Sequence, residues 1–289
     1  MPYLEIFGVN HYYEWIGQPE APLQEKKPNS DKPTMVFIHG WAGSDRYWES
    51  TAFSLVEQFD CLLFDMRGFG RSPFPRPLPQ SVAKRGYELD TYADDLAALL
   101  DKLGLQKVYL NAHSTGSSVA VLFLNRYADR VERAILTCSG VFEYNELAFK
   151  SFHKVGGYVV KFRPGWFRKI PWLDLMFMQR FLRRSIPRYA SRAFLEDFLT
   201  ADAEAAEGTI YTAVSKRAAE EMPDEFAQIK VPTLLVSGEY DQIIPPELGR
   251  AAAQLNPCIQ HSVLPETAHF PMMEDPTAYL QNVKGFLQI

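Results

Sequence analysis

The stretch Val108-Tyr109-Leu110-Asn111-Ala112-His113-Ser114-Thr115-Gly116-Ser117-Ser118-Val119-Ala120 is the part of the chain around which the rest can be ordered. Val108 to Leu110 is a short apolar run that suits a buried strand. From Ser117 to Tyr127 the apolar residues Val119, Val121, Leu122 and Leu124 fall at helical spacing. Between the two stands Ser114, with Ala112 two residues before it and Gly116 two residues after. A strand that turns this sharply into a helix strains the serine backbone and crowds its neighbours, so bulky flanking side chains would collide. The hydroxyl would then stand exposed on a tight elbow, with the next amide at a helix N-terminus. Ala112 sits where the commoner Gly-x-Ser-x-Gly elbow has glycine, and five residues recur by chance. The reading therefore needs support from elsewhere in the chain.

The bulk numbers narrow the field. A chain of 289 residues can bury one large core, or a core with an insertion. Its 47% hydrophobic and 22% charged content is that of a globular protein rather than a disordered one. A net charge of −5 gives no global basic field for nucleic acid, and no nucleic-acid partner is expected. Cys61, Cys138 and Cys258 are widely spaced beside apolar runs, which predicts reduced core residues rather than disulfides or metal ligands. Met1 to Val9 lacks the basic and apolar regions of a signal peptide. No run reaches the roughly 18 apolar residues of a membrane span. The expectation is a soluble, cytoplasmic protein without cofactor or metal.

In chain order, Tyr3–Phe7 and His11–Trp15 read as a hairpin at a sheet edge, joined by Gly8-Val9-Asn10. Pro19 to Pro33 reads as an exposed loop. Met35–Ile38 and Cys61–Phe64 are continuous apolar runs, as in strands buried on both faces of a parallel sheet. Ser44 is placed to cap a helix running to about Gln58, and Thr91-x-x-Asp94 to open one ending near Leu103. Arg133–Cys138, Thr233–Val236 and Cys258–Leu264 supply further strands, and Pro276–Leu287 a closing helix. From about Phe142 to Glu225 the alternation stops, with helical stretches at Pro171–Arg184 and Arg192–Thr200. The pattern predicts an α/β fold: a mostly parallel central sheet with helices on both faces. Residues 1–141 and 226–289 would form its core. Residues 142–225 would form a helical cap over the carboxyl ends of the strands.

A serine hydroxyl is a weak nucleophile that needs a general base, and the base needs an orienting acid. His39 and His113 flank glycine and serine in tight turns and are read as structural; His11 and His261 lie inside strands, and His153 in the inserted segment. His269, in Pro265-Glu266-Thr267-Ala268-His269, follows the last strand. Asp241, in Ser237-Gly238-Glu239-Tyr240-Asp241, also leaves a strand end, where the sites of open α/β sheets gather. Ser114, Asp241 and His269 thus come in one order, each on a loop leaving a strand.

These pieces resemble the α/β-hydrolase superfamily, in its serine-nucleophile, helical-capped, esterase- or lipase-like branch. The resemblance rests on His39-Gly40-Trp41, Asp65-x-Arg67-Gly68-x-Gly70-x-Ser72, Ala112-His113-Ser114-Thr115-Gly116, Gly238-x-x-Asp241-x-x-x-Pro245 and Ala268-His269. It implies Ser114 as nucleophile, His269 as base and Asp241 as its orienter, with Glu143 as an alternative acid. It also implies an oxyanion hole from the backbone amides of Trp41 and Thr115. Asp65 and Arg67 would brace their loop. A serine nucleophile argues against epoxide hydrolysis and dehalogenation. His39-Gly40-Trp41-Ala42-Gly43 lacks both the Gly-Gly-Pro and the Gly-Gly-Gly patterns of other branches.

The implied activity is hydrolysis of carboxylic esters, hydrophobic or lipid-like ones favoured, through an acyl-enzyme. A cofactor-free haloperoxidase or perhydrolase, an acyltransferase, or a non-catalytic ligand receptor of the same fold are the alternatives. Between Lys150 and Arg192 the chain has eleven Lys or Arg and one acid, Asp174, with aromatics interleaved. One reading is a solvated basic face whose aromatics pack inward; the other is peripheral contact with an anionic membrane through the cap.

Overall fold

The computed structural model describes residues 2–17, 28 and 30–289, apart from the side chains of Ala148 and Phe152. Most of the loop expected over Pro19 to Pro33 lies outside these residues.

Eight strands make one sheet: β1 (Tyr3–Ile6), β2 (Val9–Ile16), β3 (Thr34–Ile38), β4 (Asp60–Phe64), β5 (Val108–His113), β6 (Val131–Thr137), β7 (Thr233–Gly238) and β8 (Ile259–Leu264). Their order is β1-β2-β4-β3-β5-β6-β7-β8. β1 and β2 form the expected edge hairpin, turning at Phe7-Gly8 one residue earlier than the sequence suggested. β2 runs antiparallel to β4, and every later pairing is parallel. Every residue of β3, β4 and β7 is buried, which explains their unbroken apolar runs.

The helices follow as α1 (Glu49–Phe53), α2 (Gln80–Arg85), α3 (Leu89–Lys102), α4 (Thr115–Arg126), α5 (Glu146–Lys161), α6 (Leu173–Met178), α7 (Arg188–Thr200), α8 (Ala203–Ala213), α9 (Lys216–Gln228), α10 (Pro246–Gln254), α11 (Pro271–Glu274) and α12 (Pro276–Leu287). Leu96, Leu100, Val119, Phe123 and Ala252, from α3, α4 and α10, cover one face of the sheet. Trp48, Ala52, Tyr279 and Val283 pack on the other with Phe37 and Val236. The α/β architecture expected from the sequence is the one observed.

Several expected boundaries move. Ser44 does cap, accepting from the Arg46 amide, but it opens a tight turn over Asp45–Trp48, and α1 stops at Phe53. Thr91 is no cap: α3 begins two residues earlier, and the Thr91 hydroxyl donates to the Glu88 carbonyl at 2.8 Å. The helix expected over Pro171–Arg184 shrinks to α6, while α7 starts at Arg188 rather than Arg192. Cys61 and Cys138 are buried, but Cys258 is exposed just before β8.

Among the described residues no helix is long and apolar enough to cross a membrane. α5 to α9 all lie between β6 and β7, and α9 packs against α4 and α10.

Candidate active site

Ser114 closes β5 and opens α4 with φ 52° and ψ −122°, outside the ordinary right-handed regions. An L-residue holds such angles only when its surroundings enforce them. Here the Ser114 amide donates to the Thr137 carbonyl at 2.8 Å, tying the elbow to β6. Gly116 is required by contact: a Cβ there would lie 2.3 Å from the His39 carbonyl oxygen. Ala112, paired in register with Ile38, is fully buried, so its methyl group is accommodated where the commoner elbow has glycine.

The three loops expected to meet do so. His269 Nδ1 lies 2.7 Å from Asp241 Oδ2, and His269 Nε2 lies 3.1 Å from Ser114 Oγ. An ionised carboxylate only accepts, which assigns the proton to Nδ1 and leaves the Nε2 lone pair facing the serine hydroxyl. Asp241 Oδ1 accepts from the Ile243 and Ile244 amides at 2.8 and 3.0 Å. Burial alone would push the Asp241 carboxyl up, but the His269 contact and these two amides outweigh it and hold it below its ordinary value. The two loops touch without an intervening side chain, since a Cβ on Gly238 would fall 2.0 Å from the Ala268 carbonyl oxygen. Glu143, the alternative acid, is exposed.

Among the described residues, the amides of Trp41 and Thr115 have no hydrogen-bond acceptor. Trp41 is fixed through its ring, whose Nε1 donates to the Ala206 carbonyl at 2.9 Å. Ala42 beside it has φ 55°. Phe177, Leu195, Phe198 and Leu199 of α6 and α7 gather around Trp41 and Ala42 as an apolar cluster.

The sequence did not reveal what stands behind this arrangement. The His269 carbonyl accepts from His113 Nε2 at 2.7 Å, which leaves Nδ1 of that ring to accept from the Tyr47 hydroxyl at 3.0 Å. Tyr47 in turn accepts from the Gly40 amide, one residue before Trp41. Burial, then the neighbouring His269, drives His113 well below the usual histidine range, so this link is neutral. On the other side the His269 amide donates to the Phe181 carbonyl at 2.9 Å. Buried Glu274 accepts from the Ala268 and Phe270 amides of the histidine loop, and from the Arg183 and Arg184 amides of the inserted segment. A glutamate just past a loop histidine has no sequence signature for such a clamp.

His39 and Asp65 brace loops as expected. His39 Nε2 accepts from the Met66 amide, and Asp65 from the Asp45 and Arg71 amides. Arg67 pairs with Asp95 at 2.8 Å. Among the described residues, His113, Cys138 and His269 bring potential metal ligands within 4.8 Å. Both ring nitrogens of each histidine are already hydrogen-bonded, and burial keeps the Cys138 thiol protonated, so the cluster is not arranged to hold an ion. A cavity of about 1020 Å³ lined by Tyr12, Glu14, Arg46, Tyr47 and Phe194 does not include Ser114.

Comparison with known proteins agrees with the fold. Residues 33–276 match the alpha/beta hydrolase fold family, and the chain belongs to it. A superfamily member from Bacillus subtilis is 30% identical over 227 residues, covering 73% of this chain and 75% of that one. A bifunctional esterase/perhydrolase of Acinetobacter calcoaceticus is 36% identical over 108 residues, 37% of this chain and 36% of that protein. Among solved structures, a thermophilic esterase from Thermogutta terrifontis superposes with a TM-score of 0.77 at 23% identity, covering 99% and 98% of the two chains.

Proposed function

We propose that the protein is a serine esterase acting through an acyl-enzyme, a reading carried by the hydrogen-bonded run Ser114–His269–Asp241. His269 Nε2 takes the Ser114 proton as Oγ attacks the ester carbonyl, and Asp241 stabilises the imidazolium that forms. Negative charge that gathers on the carbonyl oxygen is received by the Trp41 and Thr115 amides, which have no other acceptor among the described residues. One such donor is typically worth about 3 kcal/mol in the transition state. His269 then protonates the departing alcohol, and water, activated by the same nitrogen, releases the acid.

The inserted helices of residues 142–225 act as a cap in this reading. Phe177, Leu195, Phe198 and Leu199 beside Trp41 supply an apolar wall, which favours hydrophobic acyl groups. Fluorophosphonate labelling and turnover of p-nitrophenyl esters of increasing chain length test the proposal together. Ser114→Ala should lose labelling and reduce kcat/KM by about 10⁴-fold or more. Full activity in that variant would discard the assignment.

The similarity to an esterase/perhydrolase favours a second reaction at the same serine. Hydrogen peroxide, in place of water, would attack the acyl-enzyme carbonyl, release Ser114 and yield a peracid. Peracid formation from an ester in the presence of peroxide, absent in Ser114→Ala, distinguishes it from hydrolysis alone.

A further inference from the structure

The outer surface of α5 and α6 breaks the usual rule for a globular protein. Helix α5 has three faces. Gly157 and Val160 turn inward, and α5 packs against α8. Lys150, Lys154 and Lys161 follow one another along an exposed flank at spacings of four and seven. Beside them Val155, Tyr158, Val159 and Phe162 recur at i, i+3, i+4 and i+7, the spacing of a single apolar stripe. That stripe points into solvent: Tyr158 is 65% exposed and Phe162 67%.

The stripe continues beyond the helix. Phe167 meets Phe162 edge-on at 5.7 Å and Trp166 edge-on at 4.8 Å, joining the end of α5 to the next turn. That turn packs against α6 and α7. Trp172 follows, 59% exposed, with its backbone in the left-handed region at φ 67° and the Arg188 guanidinium over its ring. In α6, Met176 is 69% exposed while its neighbour Phe177 stacks on Phe198 at 4.8 Å, inside the apolar cluster at Trp41. One short helix therefore joins the exposed apolar surface to the wall of the candidate acyl site.

Cations surround this surface, and only some of them have a counter-charge: Lys150 pairs with Glu146, Lys161 with Glu207 and Arg188 with Asp174. Among the described residues, Lys154, Arg168, Lys169 and Arg180 form no ion pair. An apolar stripe with indole and phenol rings at its margin, edged by unpaired cations, matches the boundary of a bilayer that carries negative headgroups. Contiguous apolar patches of this kind are rare on monomers that meet only water. A protein partner would have to match both the apolar stripe and the excess positive charge, whereas an anionic lipid surface supplies both at once.

We propose that α5, the Gly165–Lys169 turn and α6 form the surface by which the protein docks on an anionic lipid bilayer. Docking sets the apolar wall around Trp41 against the acyl region, so esters dissolved in the membrane reach Ser114 without crossing water. The proposal rests on the esterase reading for its consequence, but the docking itself does not.

Cosedimentation with unilamellar vesicles tests it, using phosphatidylcholine alone and phosphatidylcholine with about one-third phosphatidylglycerol, with light scattering of the free protein. The wild type should bind the mixed vesicles at least about tenfold more tightly, with binding that weakens as salt rises. Val155→Glu/Phe162→Glu should lose that binding, as should Lys154→Glu/Lys169→Glu. All of these positions are exposed, and each variant's turnover of water-soluble p-nitrophenyl acetate should remain that of the wild type. Negligible binding of the wild type to both vesicles would overturn the proposal. So would a dimer that becomes monomeric in Val155→Glu/Phe162→Glu without any vesicle binding, which would make the face a contact between two copies. Failure of p-nitrophenyl acetate turnover in the wild type would instead overturn the esterase reading and leave docking to be judged by the vesicles.

Discussion

Two regions of this molecule treat their unmet groups in opposite ways. Around His269 the side-chain and main-chain polar groups are matched: Asp241 on one ring nitrogen, Ser114 on the other, Phe181 and His113 on the backbone, and Glu274 beneath. Along α5 and the turn that follows it, apolar rings stand in solvent, and Lys154, Arg168 and Lys169 form no ion pair among the described residues. The first region holds a few atoms at hydrogen-bond distances of 2.7 to 3.1 Å, as general-base chemistry demands. The outward-facing rings of the second are left exposed by the fold. On the proposed reading, the contrast separates where the reaction would occur from where substrate would be gathered, and each half can be tested by substitution.

After Ser114→Ala, Asp241→Asn should have the next largest effect, because an amide leaves His269 Nδ1 without a charged acceptor and favours the wrong tautomer. Ester turnover should fall by about 10³- to 10⁴-fold at nearly unchanged melting temperature. A loss below tenfold would show that Asp241 does not orient the base.

Buried His11, on β2, carries the contrast into pH dependence. Burial lowers it from 6.5 to about 4. Between those values the unfolded chain binds a proton that the folded chain does not. Stability from this group is therefore complete above pH 6.5 and is lost as pH falls toward 4, by about 3 kcal/mol at most. Denaturant titrations of His11→Gln should lack that part of the slope, and parallel curves for the two proteins would remove His11 as its source.

Glu274→Gln should cost about 2 kcal/mol, since its amide group turns a donor toward backbone donors that had a carboxylate acceptor. Thermal unfolding measures it, and a cost under about 0.5 kcal/mol would mean water replaces the lost acceptor. At the other extreme, Val155→Glu on the outer stripe should shift stability by no more than about 0.5 kcal/mol. A larger loss would show that the stripe is covered within the folded chain.

The elements legible in the sequence are those whose signal is local. β3, β4 and β7 were readable because burial on both faces leaves an unbroken apolar run. Ser114, Asp241 and His269 were readable as candidates because each stands on a loop leaving a strand. α12 has the expected ends because Pro276 starts it and the Asp275 side chain accepts from Ala278. What failed was decided by distant partners. The apolar spacing of Pro171–Arg184 suggested one helix, yet the Arg183 and Arg184 amides go to Glu274, ninety residues away in sequence, and the helix ends at Met178. Thr91 resembled a cap, but its hydroxyl meets Glu88 and the Arg67 side chain instead. The inward turn of the aromatics between Lys150 and Arg192 was half correct: Phe177 and Phe181 face His269 and its neighbours, whereas Tyr158, Phe162, Trp166, Trp172 and Tyr189 do not.

The hold of Phe181, Arg183 and Arg184 on the histidine loop bears on any attempt to simplify this protein. It is tempting to regard the sheet as a minimal enzyme and the helices between β6 and β7 as a removable attachment. Excising them would delete the acceptor of the His269 amide and strip Glu274 of two of its donors. A shortened chain would be a damaged catalyst rather than a smaller one. Exchanging that segment with a relative's, to import a new specificity, succeeds only if the transplant restores a carbonyl and a pair of amides at the same places.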